Sequence, residues 1–361
     1  MDTIDAELGQ LRHCADLEAL PRSLGGVIGT ADYRCAPADF CVSEVGIKPS
    51  GEGEHLMLRI RKTGQNTRWV AKRLADALHI PYRAVSYAGL KDRHAITEQW
   101  FGVHLPGNIN PELENICIEG VEILSSMRHN RKLRPGQLSY NEFSIMLRNC
   151  HYDSGSVSGE PLTQRLTERL GQISSQGVPN YFGSQRFGLS RANLNLLRTE
   201  TDFKRLKRES RAFALSALRG ALFNGYLAER IRCSDFDRDL PGEVRLSDRP
   251  RGLAEDDRSI FIPEQLPTAL LWGQGKSAAT GEAADLENKW FGRFPLVQSL
   301  LEAAGSKASR RVLRMRVAKL DWRQQDTNLH IKFVLGPGSY ATVVLRELFS
   351  LQDRMSAATD G

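Results

Sequence analysis

The segment YAGLKDRHAITEQWF, Tyr87 to Phe101, sets one carboxylate, Asp92, between Lys91 and Arg93, with His94 next in line. A charged carboxylate can serve as a nucleophile or as a base. The flanking cations are expected to keep it charged, and His94 is either a proton carrier or a structural imidazole. An aspartate between two strands is more often a solvated turn residue, so its weight depends on what surrounds it. Three basic runs stand elsewhere in the chain: Arg128, Arg131, Lys132 and Arg134; Lys204, Arg205, Lys207, Arg208 and Arg211; Lys307, Arg310, Arg311, Arg314 and Arg316. Each alone is a solvated face. Together they suit a polyphosphate backbone laid across two parts of the protein, with salt-dependent affinity. Phe40, Tyr87, Phe143, Tyr181, Phe182, Phe187 and Tyr340 lie in or beside expected loops. Most belong in a core; a few are placed to stack on unpaired bases.

The elements that must position these groups follow from periodicity. In GEGEHLMLRIRK, Leu56, Leu58 and Ile60 alternate with Met57, Arg59 and Arg61, which predicts a half-buried strand with a basic outer face. NTRWVAKRLADALHI is a helix, capped by Asn66 or Thr67, with Val70, Leu74, Ala77 and Leu78 on one face. VSYAGL is a short buried strand, and Gln99 to Leu105 continues a second one beyond the Asp92 loop. The Gly- and Ser-rich stretch from His151 to Pro161 is a loop and a candidate boundary. A helix with Leu162, Leu166, Leu170 and Ile173 on one face follows, then the aromatic corner GVPNYFGSQRFG, then a long helix from Ser210 to Arg232 striped by Leu215, Leu218, Leu222 and Tyr226. Leu240 to Gly281 looks irregular, Asn288 to Arg314 helical, and LHIKFVLGPGSYATVVLRELFS is strand, turn and helix. A sheet, a helical middle and a return to sheet predict an α+β fold interrupted by an insertion.

Composition narrows the function classes. The chain has 361 residues and a formal net charge of +6, from 49 basic and 43 acidic side chains. That balance favours a polyanionic partner. Six cysteines form no C-x-x-C pair and the eight histidines no H-E-x-x-H, so free thiols and no metal site are expected. No apolar run approaches the roughly 18 residues of a membrane span, and the first residues carry acids where a secretory leader carries bases. A cytoplasmic protein without a membrane partner is expected.

Four segments occur in order: SYAGLKDRHAITEQWF, HNRKLRPGQLSYNEFSI, GVPNYFGSQRFG and GPGSYATVVLREL. With DFCVSEVGIKPSGEGEHLMLRIRKTGQNTRWVAKRLA, the set resembles the TruD family of tRNA pseudouridine synthases. The resemblance spans residues of about 30–235 and 320–350 and thins between Cys233 and Lys319. It implies a pseudouridine-synthase-like catalytic domain with a mainly antiparallel mixed sheet, residues 1–176 and 316–361, and an α-rich insertion, residues 177–315. It implies conversion of a uridine in tRNA, typically uridine-13, to pseudouridine by an aspartate with no cofactor.

The aspartate of the resemblance is Asp92, preceded by Lys91 as in the family. Phe40, Asn141 and Phe143 match substrate-contacting positions, and Tyr340 a ring beside the base. Arg34 stands where the family commonly has lysine, a cation expected to pair with Asp92. Tyr340 replaces a phenylalanine and Tyr140 a glycine. The carboxylate could attack the ribose or the base, or remove a ribose proton to give a glycal. A monomer acting on tRNA is expected. Two other classes are a non-catalytic RNA-binding or RNA-folding protein on the same scaffold, and an RNA N-glycosidase.

Overall fold

The structure is a computed structural model that describes residues 4–108, 110–152, 162–188, 191–196, 205–247 and 265–357. Most of the expected loop from His151 to Pro161, and Lys204 of the second basic run, lie outside the described residues.

The chain first lays down β1 (Gly29–Tyr33), β2 (Phe40–Val45), β3 (His55–Thr63), β4 (Val85–Tyr87), β5 (Ile96–His104), β6 (Val121–His129) and β7 (Tyr140–Tyr152). It then builds a helical part carrying the short strands β8 (Val178–Pro179), β9 (Arg245–Ser247), β10 (Gln265–Leu271), β11 (Ser309–Val312) and β12 (Arg314–Met315). It returns through β13 (Ala318–Gln325), β14 (Asn328–Leu335) and β15 (Phe349–Asp353). The main sheet runs β13-β14-β7-β2-β5-β3-β6, with β1 beside β7 and β15, and β4 beside β5. The β2–β5 and β1–β15 pairs are parallel and the other pairs antiparallel, so the sheet is mixed as expected. The chain enters and leaves the helical part through one antiparallel ladder, Val178 against Met315 and Pro179 against Arg314.

The helix Thr67–Ala77 starts where Asn66 accepts a hydrogen bond from the Arg68 N–H at 2.9 Å. Its buried stripe is Thr67, Val70, Ala71, Leu74 and Ala75, and Ala77 is exposed. The helix Arg208–Arg232 is central to the helical part. Nearly every side chain from Ala214 to Ala228 is buried, so its apolar surface is a cylinder and not a stripe. Leu215 is only half-buried.

Three expectations change. Met57 is fully buried, so β3 is covered on both faces, and Arg59 and Arg61 pair with Glu98 on β5 at 3.0 and 2.9 Å. In the stretch expected to be helical from Asn288 to Arg314 the helices end at Ala303, and Ser309–Val312 is a strand. Its two arginines hide the alternation that marks a strand, because their guanidiniums are bonded inward. Arg310 pairs with Glu287 and donates to the Thr268 carbonyl at 2.9 Å; Arg311 donates to the Asn180 carbonyl at 3.1 Å. Within the region expected to be irregular, β9 and β10 pair.

The lead-in is ordered by the rest of the fold. The helix Ile4–Cys14 packs on Arg208–Arg232, and Glu7 accepts from the Leu296 and Val297 N–H groups at 3.0 and 2.9 Å. Those are unpaired donors at the start of the helix Pro295–Ala303. The buried pair Arg346–Glu347 holds residues 20–24: Arg346 donates to the Leu20 carbonyl at 2.6 Å, and Glu347 accepts from the Ser23 and Leu24 N–H groups.

Candidate active site

Alternation along β2 puts Phe40, Val42 and Glu44 on one face of the sheet. Antiparallel register sets them opposite Ile145, Phe143 and Asn141 of β7, and β14 adds Phe333 opposite Phe143. The Asn-x-Phe spacing of two is what brings both side chains to that face. Phe143 meets Phe40 edge-on at 6.3 Å and stacks on Phe333 at 5.4 Å. Tyr140, where the family often has glycine, is an ordinary buried strand residue beside Val334.

The Asp92 loop runs between β4 and β5 over this face, and it is tied down residue by residue. The Gly89 carbonyl accepts from Gln99 Nε2 at 3.1 Å. The Lys91 N–H donates to Thr67 Oγ1 at 3.0 Å. The Asp92 carbonyl accepts from Lys62 Nζ at 2.6 Å, and Lys62 also donates to the Gln65 carbonyl at 2.8 Å. Lys62 is completely buried. Burial brings its ammonium down to about 8; the Asp92 charge opposes that shift and the Lys91 charge adds to it. The Asp92 carboxylate itself accepts from Gln185 Nε2, which arrives from the helical part.

Asp92 lies in a cleft of about 910 Å³ between the sheet and the helical part. Phe40, Asn141, Phe143, Tyr340 and Lys91 also line it, so six of the seven expected site residues are brought together. The far wall contributes Gln185, Arg186, Arg208 and Phe213, and the Tyr340 ring, which follows β14, packs edge-on against Phe182 of that wall at 6.2 Å.

Arg34 is the seventh, and its expected ion pair with Asp92 is replaced. Its guanidinium is taken by Asp353, with Nε 3.3 Å from Oδ1, and by the Tyr33 hydroxyl at 3.3 Å. It feels Asp92 only as a neighbouring charge. The left-handed backbone at Arg34, φ 55°, turns the side chain toward β15. The cations flanking Asp92 in sequence also turn away. Lys91 goes to Asn141 Oδ1 at 2.5 Å and Glu44 at 3.2 Å, and Arg93 to the Gly64 carbonyl at 3.4 Å. Successive loop side chains diverge, so adjacency in sequence did not give adjacency of charge.

The sequence reading missed Lys62, Glu44 and Gln185. Two had a signal: Lys62 continues the inward series Leu56, Leu58, Ile60, and Glu44 the series Phe40, Val42. Gln185 and Arg186 lie in the aromatic corner, whose Tyr181, Phe182 and Phe187 are core residues. Tyr87 packs edge-on against Phe101 at 6.0 Å. Of the basic runs, Arg131, Lys132, Arg134, Arg205, Lys207 and Arg208 are exposed. In the third run Arg310, Arg311 and Arg314 bond inward. Among the described residues no cluster of histidine, cysteine or acidic side chains is arranged to hold a metal ion, and no helix is long and apolar enough to cross a membrane.

The chain matches the family tRNA pseudouridine synthase D (TruD) over residues 24–200 and 197–348. It is 37% identical over 357 residues to the tRNA pseudouridine synthase D of Pseudoalteromonas atlantica, covering 95% of this chain and 97% of that one. It is 40% identical over 347 residues to the protein of the same name from Pseudomonas putida, covering 93% and 96%. A crystal structure of a Methanosarcina mazei protein assigned to TruD is similar with a TM-score of 0.67, covering 95% of this chain and 99% of that one. At 20% identity that likeness speaks to the fold alone.

Proposed function

Because the chain belongs to the TruD family of tRNA pseudouridine synthases, we propose that it isomerises uridine-13 of tRNA to pseudouridine, with Asp92 as the essential carboxylate and no cofactor. The observation that carries this is a carboxylate on a pinned loop inside a cleft whose two walls differ in chemistry. The sheet wall offers aromatic rings and an amide for a base; the helical wall offers arginines for phosphates.

The target nucleotide is extruded from the RNA into the cleft. Unstacking costs a few kcal/mol, offset by ring contacts and phosphate contacts. Phe40, Phe143 and Tyr340 confine the base, Asn141 donates to it, and Lys91 holds Asn141. Asp92 assists cleavage of the bond between N1 and the ribose. The freed uracil turns and rejoins through C5. Nothing is oxidised and no group is brought in, so the chemistry needs no redox or group-carrying partner. The rings exclude the water that would otherwise hydrolyse the opened sugar. Arg34 acts on Asp92 through space, as a neighbouring charge.

We assign residues 1–176 and 316–361 to the catalytic unit and 177–315 to the insertion, with the helix Ile4–Cys14 docking back onto the latter. The protein acts as a monomer in the cytoplasm.

The test is incubation of total tRNA with the protein, with pseudouridine mapped by carbodiimide-blocked primer extension. A stop appears at position 13 with wild type and is absent with Asp92→Asn, while tRNA binding is retained. A protein that only binds or folds RNA would be indifferent to Asp92→Asn. An RNA N-glycosidase would lower the mass of the RNA, whereas isomerisation leaves it unchanged.

A further inference from the structure

Asn141 faces Glu44 directly across the β2–β7 ladder, and the Lys91 ammonium sits between them, 2.5 Å from Asn141 Oδ1 and 3.2 Å from Glu44 Oε2. Glu44 is completely buried and the Lys91 side chain is 8% exposed. An ammonium has donors only, so the amide atom that faces it is the oxygen. Contact with Lys91 therefore fixes the amide plane, a choice that an isolated asparagine leaves open. The NH2 end is left to the cleft that Asn141 lines.

We propose that Glu44 and Lys91 lock Asn141 as a donor toward the nucleobase, so that the same N–H group meets a ring carbonyl both before and after the uracil turns. The inference rests on the isomerase reading above. In that reaction the N1–C1′ bond breaks, a C5–C1′ bond forms, the C5 proton leaves to solvent, and N1 takes up a proton. The turn that replaces N1 by C5 runs about the axis through C6 and N3. It exchanges the C2 and C4 carbonyls and leaves the N3–H in place. Uracil therefore presents an acceptor at the Asn141 position in both orientations. Cytosine carries an amine at C4, and in one of the two orientations that amine would face the amide donor. A flipped amide would set its oxygen against a carbonyl throughout. Asn141 is then the residue that selects uracil, and Glu44 is a positioning residue that acts through Lys91.

Transcripts carrying uridine, 2-thiouridine or 4-thiouridine at the target site separate this from a packing role, because sulfur is a poor acceptor. Single-turnover rates are read by release of tritium from C5. With wild type, each thio base slows the reaction by about 3- to 10-fold beyond the same ratio measured with Asn141→Ala, as loss of one hydrogen bond implies. Glu44→Gln brings both ratios down toward the Asn141→Ala values. Glu44→Gln can destabilise the fold by leaving Lys91 unpaired. Glu44→Gln combined with Lys91→Met removes both charges and gives the same collapse of the ratios. Slowing by only one of the two thio bases, or ratios that Asn141→Ala leaves unchanged, overturns the inference while isomerisation of uridine stands. No pseudouridine from the uridine transcript overturns both readings.

Discussion

The two walls of the cleft are built differently. On the sheet wall the Asp92 loop is held from below: Lys62, Gln99 and Thr67 bond three successive parts of it, and Lys62 and Thr67 have no exposed surface. On the helical wall the polar groups reach out from a packed aromatic base. Arg186 lies over the Phe182 ring at 4.9 Å, and Arg208 is exposed at the start of its helix. Buried polar ties fix a position at high cost if broken. Exposed cations on a firm base adapt to a phosphate backbone at little cost. On the proposed reading, the sheet wall is thus built for accuracy and the helical wall for capture.

The comparison can be broken most severely at Asp92. Asp92→Asn is expected to lower single-turnover isomerisation on the order of 10³-fold or more, with tRNA affinity nearly unchanged. A loss of binding in parallel with rate would move Asp92 from the catalytic role to a structural one.

Next comes Lys62→Met. Freed from its clamp, the Asp92 loop shifts, and a shift near 1 Å costs about 10²-fold in kcat with little change in KM. The same variant carries a pH signature. Between about 8 and the ordinary lysine value of 10.5, the unfolded chain keeps a proton that folded Lys62 has released. The stability of wild type relative to Lys62→Met therefore rises with pH through that window and is level below it. Urea unfolding at a series of pH values reads the difference.

A smaller effect belongs to the helical wall. A Cβ at Gly183 would sit 2.9 Å from Tyr340 Cδ1 and 3.2 Å from Thr342 Oγ1. Gly183→Ala is expected to displace the Tyr340 ring, cost about 1–3 kcal/mol of stability, and raise KM more than it lowers kcat.

The smallest effect is at the rim. Arg208→Gln should weaken tRNA binding a few-fold and flatten the salt dependence by about one phosphate contact. Arg310→Gln should leave the salt dependence alone and lower the melting temperature, since Arg310 pairs with the buried Glu287. Equal salt slopes for the two variants would erase the distinction between capture and framework arginines.

Local pattern carried much of the fold. The alternation in β3 and the capped helix after Asn66 were legible because strand and helix periods are set by backbone geometry. The strand Ser309–Val312 was not, because its arginines look solvent-bound until Glu287, Thr268 and Asn180 are brought beside them.

The site divides the same way. A spacing of two is enough to put Asn141 and Phe143 on one side of their strand, and the resemblance pointed to Phe40 and Asp92; the β2–β7 pairing joined Phe40, Asn141 and Phe143 on one face. The direction of each charged side chain was a tertiary matter. A cation's partner is whichever carboxylate or carbonyl the folded chain places within about 3–4 Å of it. Only the folded chain turned Lys91 to Glu44, gave Arg34 to Asp353, raised Lys62 beneath Asp92, and brought Gln185 across from the other wall.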